Sequence, residues 1–162
     1  MATRRQASNN FPVPGKIAEL VDLVHEIVDL SLHWLQPKLK EEGVTIGEFM
    51  AMHIVANIDG VSVSAVAQQL GVSPPTVCVN IDHLEAAGLM RRQRSERDHR
   101  AVELSLTPRG QKIEERAWKQ LTQFVSEAAG GIPETDIDAA IRVFRAARQR
   151  FLDGSSVHGE GR

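Results

Sequence analysis

The sequence predicts a mainly α-helical fold with one small β-hairpin. Two long segments, residues 17–35 and 113–124, repeat apolar side chains at helical spacing. Between them, two short helix-forming segments are separated by Gly71, and a strictly alternating stretch follows at residues 102–106. These features together predict a compact helix-turn-helix with a hairpin after it, flanked by longer helices from both chain ends.

Length and composition narrow the class of protein. The chain has 162 residues, a formal net charge of −2 and one cysteine. This length is sufficient for a hydrophobic core, whereas one cysteine excludes an intrachain disulfide and a cysteine-rich zinc site. No two histidines stand four residues apart, so we expect no metal and no cofactor. No apolar run has the length of a membrane span or the pattern of a leader, so we expect a cytoplasmic protein without a membrane partner.

The N-terminal segment predicts an arm and a dimerisation helix. Residues 1–14 are polar and proline-containing, and we expect a flexible arm there. Residues 15–44 have an apolar stripe too wide for a single neighbouring helix to cover, which predicts a helix that dimerises. Pro37 is expected to kink or end that helix, and Gly43 marks the turn after it.

A capping box predicts the next helix. Thr45 and Glu48 stand at the spacing at which each side chain bonds the other residue's backbone N–H. The helix is expected to reach about Asn57. Its inward side is predicted to consist of Phe49, Met52 and Ala56.

Two shorter helices then form the predicted helix-turn-helix. Residues 62–70 are expected to bury Val66, Ala67 and Leu70, and Gly71 supplies a left-handed turn. Ser73 caps the second helix and Pro74 opens it, since proline lacks a donor that this position does not need. The second helix is anchored on a core by Val77, Ile81 and Leu84. Its other face carries Thr76, Val79, Asn80 and His83.

A hairpin and two helices complete the chain. Gly88 ends the second short helix, and residues 89–94 and 100–106 are predicted strands around the polar turn 95–99. In the second strand, Val102, Leu104 and Leu106 alternate with polar residues. Residues 45–107 therefore form the predicted winged helix-turn-helix region. Residues 108–152 are predicted C-terminal dimerisation helices, with Thr107 as cap and a last helix over about 134–152, and the Gly- and Ser-rich residues 153–162 are predicted to be a disordered tail.

The segment GLMRRQRSERDHRAVELSLTPRG, residues 88–110, resembles the wing of the MarR family of bacterial and archaeal transcription regulators. Asp98 and Arg100 fall on the family's D-x-R motif, and Leu106, Thr107 and Gly110 on its L-T-x-x-G exit. The resemblance implies a sequence-specific DNA-binding regulator, most often a repressor. It also implies a homodimer on a pseudo-palindromic operator, released by a small-molecule effector.

Double-stranded DNA is thus the expected partner. The residues expected to contact it are Ser73, Thr76, Val79, Asn80, His83, Arg91, Arg94, Arg97, Asp98 and Arg100. Asparagine can pair bidentately with adenine. Arg100 is the best candidate for a minor-groove contact, with Asp98 orienting it as the motif implies. The arginines often found in the family at the positions of Val79 and His83 are absent, so a base preference does not carry over.

Two further expectations concern regulation. MarR-like proteins commonly bind small aromatic effectors between the dimer helices and the DNA-reading lobe, and His33, Trp34 and His53 are candidates to line such a crevice. Cys78, near the start of the second short helix, is a candidate redox sensor, because oxidation there would obstruct DNA binding. Family members that sense organic peroxides use a cysteine in the first helix with tyrosine partners, and this chain has no tyrosine.

Other functions have less support. The chain contains neither a G-x-S-x-G motif nor a phosphate-binding loop, and we expect no enzyme activity. Two alternatives to a regulator remain: a winged-helix protein-interaction module that does not bind DNA, and a DNA binder indifferent to sequence. Affinity for a specific duplex compared with a shuffled one distinguishes all three.

Overall fold

A computed structural model of the chain describes residues 15–94 and 102–157, with side chains described as far as Asp153. The elements are α1 (Gly15–Glu41), α2 (Ile46–Asn57), α3 (Val63–Leu70), α4 (Pro74–Ala86), β1 (Met90–Arg94), β2 (Val102–Leu106), α5 (Pro108–Ala128) and α6 (Glu134–Val157). The chain divides into two compact units, one up to Phe124 and one from Val125 onward. The predicted class, mainly helical with a small hairpin wing, is confirmed. The predicted arm over residues 1–14 lies outside the described residues.

Helix α1 continues through Pro37 to Glu41, so this proline does not end it. Leu35 and Leu39, on either side of the proline, are completely buried. Packing of these two leucines against the core keeps the last turns helical, although proline cannot donate a backbone hydrogen bond. The turn follows at Gly43, which has the positive φ of 71° that favours glycine.

Helix α2 begins with the predicted capping box. The Glu48 N–H donates to Thr45 Oγ1 at 3.2 Å, and the Thr45 N–H donates to Glu48 Oε2 at 2.7 Å. The helix ends at Asn57, as predicted. Phe49 and Met52 are buried, but Ala56 is exposed, so its predicted inward position is wrong. The buried side of the helix passes instead through Ile54 and Val55.

Helices α3 and α4 form the predicted helix-turn-helix. Ser62 caps α3, and Gly71 turns the chain with a φ of 66°. Ser73 then caps α4 and Pro74 opens it. The predicted anchors of α4, namely Val77, Ile81 and Leu84, are all buried in a core that also contains Phe49, Leu35 and Val66. Local capping chemistry and core burial therefore agree on where α4 lies.

Strands β1 and β2 pair antiparallel, with Met90 opposite Leu106 and Arg94 opposite Val102. The Leu104 N–H donates to the Val61 carbonyl at 2.9 Å, which ties the hairpin to the segment before α3. Leu104 is buried and Leu106 half-buried, whereas Val102 is exposed. The predicted alternation fails at Val102, which lies at the end of the hairpin away from the buried Leu104. The predicted turn 95–99, with Arg100 and Ala101, lies outside the described residues.

Hydrogen bonds join the residue that follows β2 to the two residues that precede β1. The Thr107 N–H donates to the Leu89 carbonyl at 3.0 Å, and the Thr107 hydroxyl donates to the Gly88 carbonyl at 2.8 Å. Thr107 Oγ1 also accepts the Gly110 N–H at 3.1 Å, which is the predicted cap of α5. A Cβ atom at Gly110 would stand 1.9 Å from the Leu89 carbonyl oxygen. Only glycine allows α5 to approach the hairpin this closely.

Helix α6 extends past the predicted end at residue 152 to Val157. The glycine and serine content of this segment instead predicts a disordered tail from residue 153 onward. Gln149 Nε2 donates to Asp153 Oδ1 at 2.8 Å, and such pairs four residues apart support a helix. Adding residues to an existing helix costs little, since the unfavourable step is nucleation. Residues 158–162 lie outside the described part of the chain.

Candidate nucleic-acid interface

The side of α4 that faces away from its buried anchors carries the predicted DNA-contacting residues. Ser73 and Thr76 lie exposed at the start of the helix, with their hydroxyl oxygens 2.8 Å apart. Ser73 Oγ also accepts the Thr76 N–H at 3.4 Å. The first role of the Ser73 hydroxyl is therefore to cap α4, and the Thr76 side chain stands next to it at the surface.

Val79, Asn80 and His83 continue this surface toward the end of α4. Val79 is exposed, whereas Asn80 is half-buried against the start of α2. A Cβ atom at Gly47 would lie 3.3 Å from Asn80 Nδ2, so Gly47 leaves room for the asparagine amide. His83 Nδ1 lies 3.2 Å from Glu48 Oε1. Two of the five predicted contacts on α4 thus lie next to the N-terminus of α2, and His83 is bonded to it.

The arginines of the hairpin have different environments. Arg91 Nε donates to the Ser105 hydroxyl at 2.9 Å, and Arg91 and Arg94 are both exposed. These two cations are available at the surface of β1. The predicted contacts Arg97, Asp98 and Arg100 lie outside the described residues.

Arg92, by contrast, is turned back onto α4. Its guanidinium contacts the carboxylates of Asp82, at 2.7 Å, and of Glu85, and its backbone N–H donates to Glu85 Oε1 at 2.8 Å. Partial burial alone lowers the pKa of the Arg92 guanidinium, but the hydrogen bonds and charges of Asp82 and Glu85 outweigh it, and the pKa is raised. Arg92 therefore connects the hairpin to α4 instead of adding a free cation to the wing.

Cys78 is half-buried on α4 and carries a free thiol. It is the only cysteine of the chain, so any disulfide would have to join it to another molecule. Its place on α4, one residue after the buried Val77, keeps it close to the predicted DNA contacts.

The three predicted effector residues do not share one site. Trp34 stacks on Phe124, with ring centroids 4.4 Å apart, and Lys38 Nζ lies 3.8 Å from the Trp34 ring centroid. His33 is exposed beside a shallow depression that also contains Leu30. Only His53 lines the larger cavity described next.

A cavity of about 830 Å³ lies between α2, β2 and α5 in the first unit. His53 Nδ1 lies 2.6 Å from Oε1 of the buried Glu114, and the imidazole stacks on Trp118 with ring centroids 3.9 Å apart. Glu114 and Trp118 were not among the predicted site residues. Their spacing of four on α5 places them on one helix face, but their meeting with His53 depends on the packing of α5 against α2.

Two structural findings concern other kinds of site. In residues 15–94 and 102–157, no three His, Cys, Asp or Glu side chains are grouped so that they could hold a metal ion. Within the same residues, no helix combines the length and apolar character needed to cross a membrane.

The described geometry is that of a winged helix-turn-helix, and comparison with known proteins agrees. Residues 42–101 match the model of the MarR family. Over these residues the chain is similar to the MarR family. The matched segment contains α2, the helix-turn-helix and the first strand of the wing, and it includes every predicted DNA contact from Ser73 to Arg100.

Relatives and solved structures extend this likeness. The HTH-type transcriptional repressor MdtR of Bacillus subtilis is 31% identical over 91 residues, which cover 51% of this chain and 59% of that protein. FabT of Streptococcus pneumoniae, solved in complex with DNA, has a TM-score of 0.70 at 24% identity and covers 85% of this chain and 98% of that one. CouR of Rhodococcus jostii RHA1, solved bound to p-coumaroyl-CoA, has a TM-score of 0.66 at 20% identity, with 77% and 88% covered.

The curated relatives and the solved structures support different conclusions, because their coverage and sequence identity differ. The chain spans 56–65% of the length of the curated relatives that it matches. Their names describe transcriptional regulators, in agreement with the expectation that the chain is not an enzyme. The solved structures, all below 25% identity, show the shared fold.

Proposed function

We propose that this chain is a MarR-type, sequence-specific DNA-binding transcriptional regulator that acts as a homodimer. The observation that carries the proposal is the division of α4 into two faces. One face is buried through Val77, Ile81 and Leu84, and the other exposes Thr76, Val79 and His83. A helix anchored in this way can enter a major groove without losing its core contacts.

The hairpin beside α4 supports the same function. Arg91 and Arg94 are exposed on β1, and exposed arginines favour contact with phosphate oxygens. Arg92 keeps the hairpin in a defined position next to α4 through Asp82 and Glu85. The wing and α4 can therefore approach the same duplex as one unit. Within this proposal, Arg100 enters a minor groove, and Asp98 orients it.

Exposed apolar helix faces support a homodimer. In the first unit, α1 exposes a row of large apolar residues, namely Ile17, Val21, Leu23, Ile27, Val28 and Leu30. In the second unit, α6 exposes Ile137, Ile141, Val143, Phe144, Phe151 and Leu152. Large apolar side chains exposed in this number favour association. A two-fold dimer would present two α4 helices to half-sites roughly 34 Å apart, so the operator is pseudo-palindromic.

We further propose that the chain represses transcription and is released by a small aromatic effector. The relative named as a repressor supports the first part, and the neighbour that holds p-coumaroyl-CoA supports the second. The cavity beside His53 and Trp118 is the effector site, because it has aromatic walls and a volume suited to a small ligand. It is bounded by β2, so a ligand that binds one hairpin position better than another changes the fit to DNA.

The proposal is tested by a fluorescence anisotropy titration with the DNA upstream of the chain's own gene and with a shuffled duplex. A specific regulator should prefer the first duplex by about 10³-fold or more. Binding should weaken between about 50 mM and about 200 mM salt, because phosphate contacts release counterions. Equal weak binding to that DNA, to the best sequence selected from a randomised duplex and to the shuffled duplex would favour a sequence-indifferent binder. No binding to any duplex would favour a protein-interaction module.

A matched pair of arginine variants separates specific contacts from total charge. Arg94→Ala removes an exposed arginine of β1, and Arg142→Ala removes an exposed arginine of α6 that does not share the helix face of Ile137, Ile141 and Phe144. The first should weaken binding to all sequences and lower the salt slope by about one, while the second leaves both unchanged. Equal effects from both variants would show that only net charge matters.

Dimerisation is tested by sedimentation with two valine variants. Val21→Glu places a charge on the exposed apolar row of α1, whereas Val102→Glu places one on the exposed end of the hairpin. Val21→Glu should yield a monomer, because burying an unpaired carboxylate in an apolar interface is unfavourable. Val102→Glu should remain a dimer. A dimeric Val21→Glu variant would place the interface elsewhere.

The effector site is tested with Trp118→Ala and a panel of small aromatic acids and thioesters. Compounds that release wild-type protein from DNA should lose that effect on the variant, because Trp118 forms the wall on which His53 stacks. Lys38→Ala, which removes the cation over the separate Trp34 ring, serves as the control. Release that is unchanged in Trp118→Ala and lost in Lys38→Ala would move the effector site to Trp34.

A further inference from the structure

His83 projects from α4 while one edge of its imidazole is held by α2. Its Nδ1 atom lies 3.2 Å from Oε1 of Glu48. The Glu48 side chain is only 7% exposed, whereas the His83 side chain is 68% exposed. The same carboxylate is fixed on its other oxygen, Oε2, by the Thr45 N–H at 2.7 Å. A rigid acceptor therefore meets one ring nitrogen, and the opposite edge of the ring faces outward.

This contact determines which ring nitrogen carries the hydrogen. An ionised carboxylate only accepts hydrogen bonds, so the bond to Glu48 requires a hydrogen on His83 Nδ1. Neutral imidazole has one N–H, and the exposed Nε2 then has a free lone pair. Without Glu48, either nitrogen could carry the hydrogen. The outward edge of His83 is thus an acceptor in the neutral ring.

We propose that Glu48 makes His83 a specificity-determining residue, by holding the Nδ1–H tautomer so that Nε2 accepts a hydrogen bond from a base amino group. In the major groove, adenine offers its N6 amino group and cytosine its N4 amino group, whereas guanine O6 and thymine O4 are acceptors. One position in each half-site should therefore favour adenine or cytosine. This inference rests on the proposed DNA binding.

The capping box makes Glu48 suited to this role. The carboxylate accepts the Thr45 N–H, and the Glu48 backbone N–H donates to the Thr45 hydroxyl, so the acceptor is in place at the first turn of α2 before DNA arrives. Gly47, next to it, leaves the space that the Asn80 amide occupies. The N-terminus of α2 thereby positions the His83 side chain, and a base contact by His83 needs no rearrangement.

Glu48→Gln provides the most direct test. A glutamine at this position can still accept the Thr45 N–H with its oxygen, while its amide nitrogen donates to His83 Nδ1. The neutral ring must then carry its hydrogen on Nε2. In ¹⁵N NMR spectra of DNA-free protein at the alkaline end of a pH titration, wild type should show mainly the Nδ1–H form. Glu48→Gln should shift the majority to the Nε2–H form. Wild type with mainly Nε2–H, or identical spectra for both proteins, would overturn the inference without reference to DNA.

DNA selection provides the second readout. Binding sites are selected from a randomised duplex with wild-type protein, and affinities are then measured for all four bases at each position. Wild type should prefer adenine or cytosine at one position by about two- to tenfold, as expected for one neutral hydrogen bond. Glu48→Gln should reverse this preference toward guanine or thymine. An unchanged preference at every position would overturn the inference.

His83→Asn separates base contact from folding. Its amide nitrogen can take the place of Nδ1 and keep the bond to Glu48, but the group at Nε2 is lost. This variant should bind DNA and lose discrimination at that single position. Discrimination that survives in His83→Asn would refute the role of Nε2. If wild type selects no sequence at all, the proposed DNA-binding function fails, while the NMR result still decides the tautomer.

Discussion

Gly110→Ala should separate α5 from the hairpin and destabilise the first unit. The new Cβ would stand 1.9 Å from the Leu89 carbonyl oxygen, and real Cβ contacts are essentially never below 3.0 Å. The first turn of α5 must therefore move by about 1 Å, because a Cβ atom is fixed to its own backbone and the atom that it meets is a backbone oxygen.

The magnitude follows from the bonds that this movement breaks. Thr107 makes bonds of 3.0 Å to Leu89 and 2.8 Å to Gly88, and it accepts the 3.1 Å bond from Gly110. Each such bond contributes about 0.5–1.5 kcal/mol. Together with the strain of overpacking, we expect a loss of about 2–4 kcal/mol in the free energy of unfolding.

Urea unfolding followed by circular dichroism, at one protein concentration, measures this loss. Gly15→Ala is the control, since an added Cβ at Gly15 would meet no atom within 4 Å. That variant should stay within about 0.5 kcal/mol of wild type. If Gly110→Ala unfolds at the same urea concentration as wild type, then α5 does not lie against Leu89 as described.

Three further predictions concern the DNA-reading elements. Ser73→Ala should cost about 1 kcal/mol of stability in the same urea assay, because it removes the cap of α4. Arg92→Gln should cost about 1 kcal/mol or less of stability, since its ion pairs with Asp82 and Glu85 are partly exposed to solvent. It should nevertheless weaken DNA binding in anisotropy titrations, because the hairpin loses its attachment to α4. Arg100→Ala should weaken DNA binding by about 1–3 kcal/mol with an unchanged sedimentation coefficient, and wild-type affinity in this variant would refute a groove contact.

Features that depend on neighbours in sequence were predictable. The capping box at Thr45 and Glu48, the left-handed turn at Gly71 and the cap at Ser73 all formed where the sequence indicated. Each involves bonds between residues no more than three or four apart, so the residue types alone indicate the geometry. Burial at Val77 followed from helical periodicity for the same reason.

Burial that depends on how far a neighbouring element extends was predicted less well. Ala56 was expected inside and is exposed, and Val102 is exposed at the outer end of the hairpin. Periodicity indicates that residues share a face, but it does not indicate where the neighbouring element ends. The composition of residues 153–157 predicts disorder, but α6 continues through them to Val157. Composition alone does not show that a preceding helix can extend into such a segment.

The class of this protein follows from its amino-acid pattern alone: a helix-turn-helix with an arginine-bearing hairpin between long apolar helices, similar to the MarR family. Tertiary structure alone decided how individual side chains are used. In the folded chain, Arg92 is paired with Asp82 of α4 and is not free on the wing. His53 contacts Glu114, which is 61 residues away in the sequence, and His83 contacts Glu48, which is 35 residues away. Local backbone bonding is encoded by adjacent residue types, whereas a hydrogen bond between distant residues exists only after the core has set the distance between their helices.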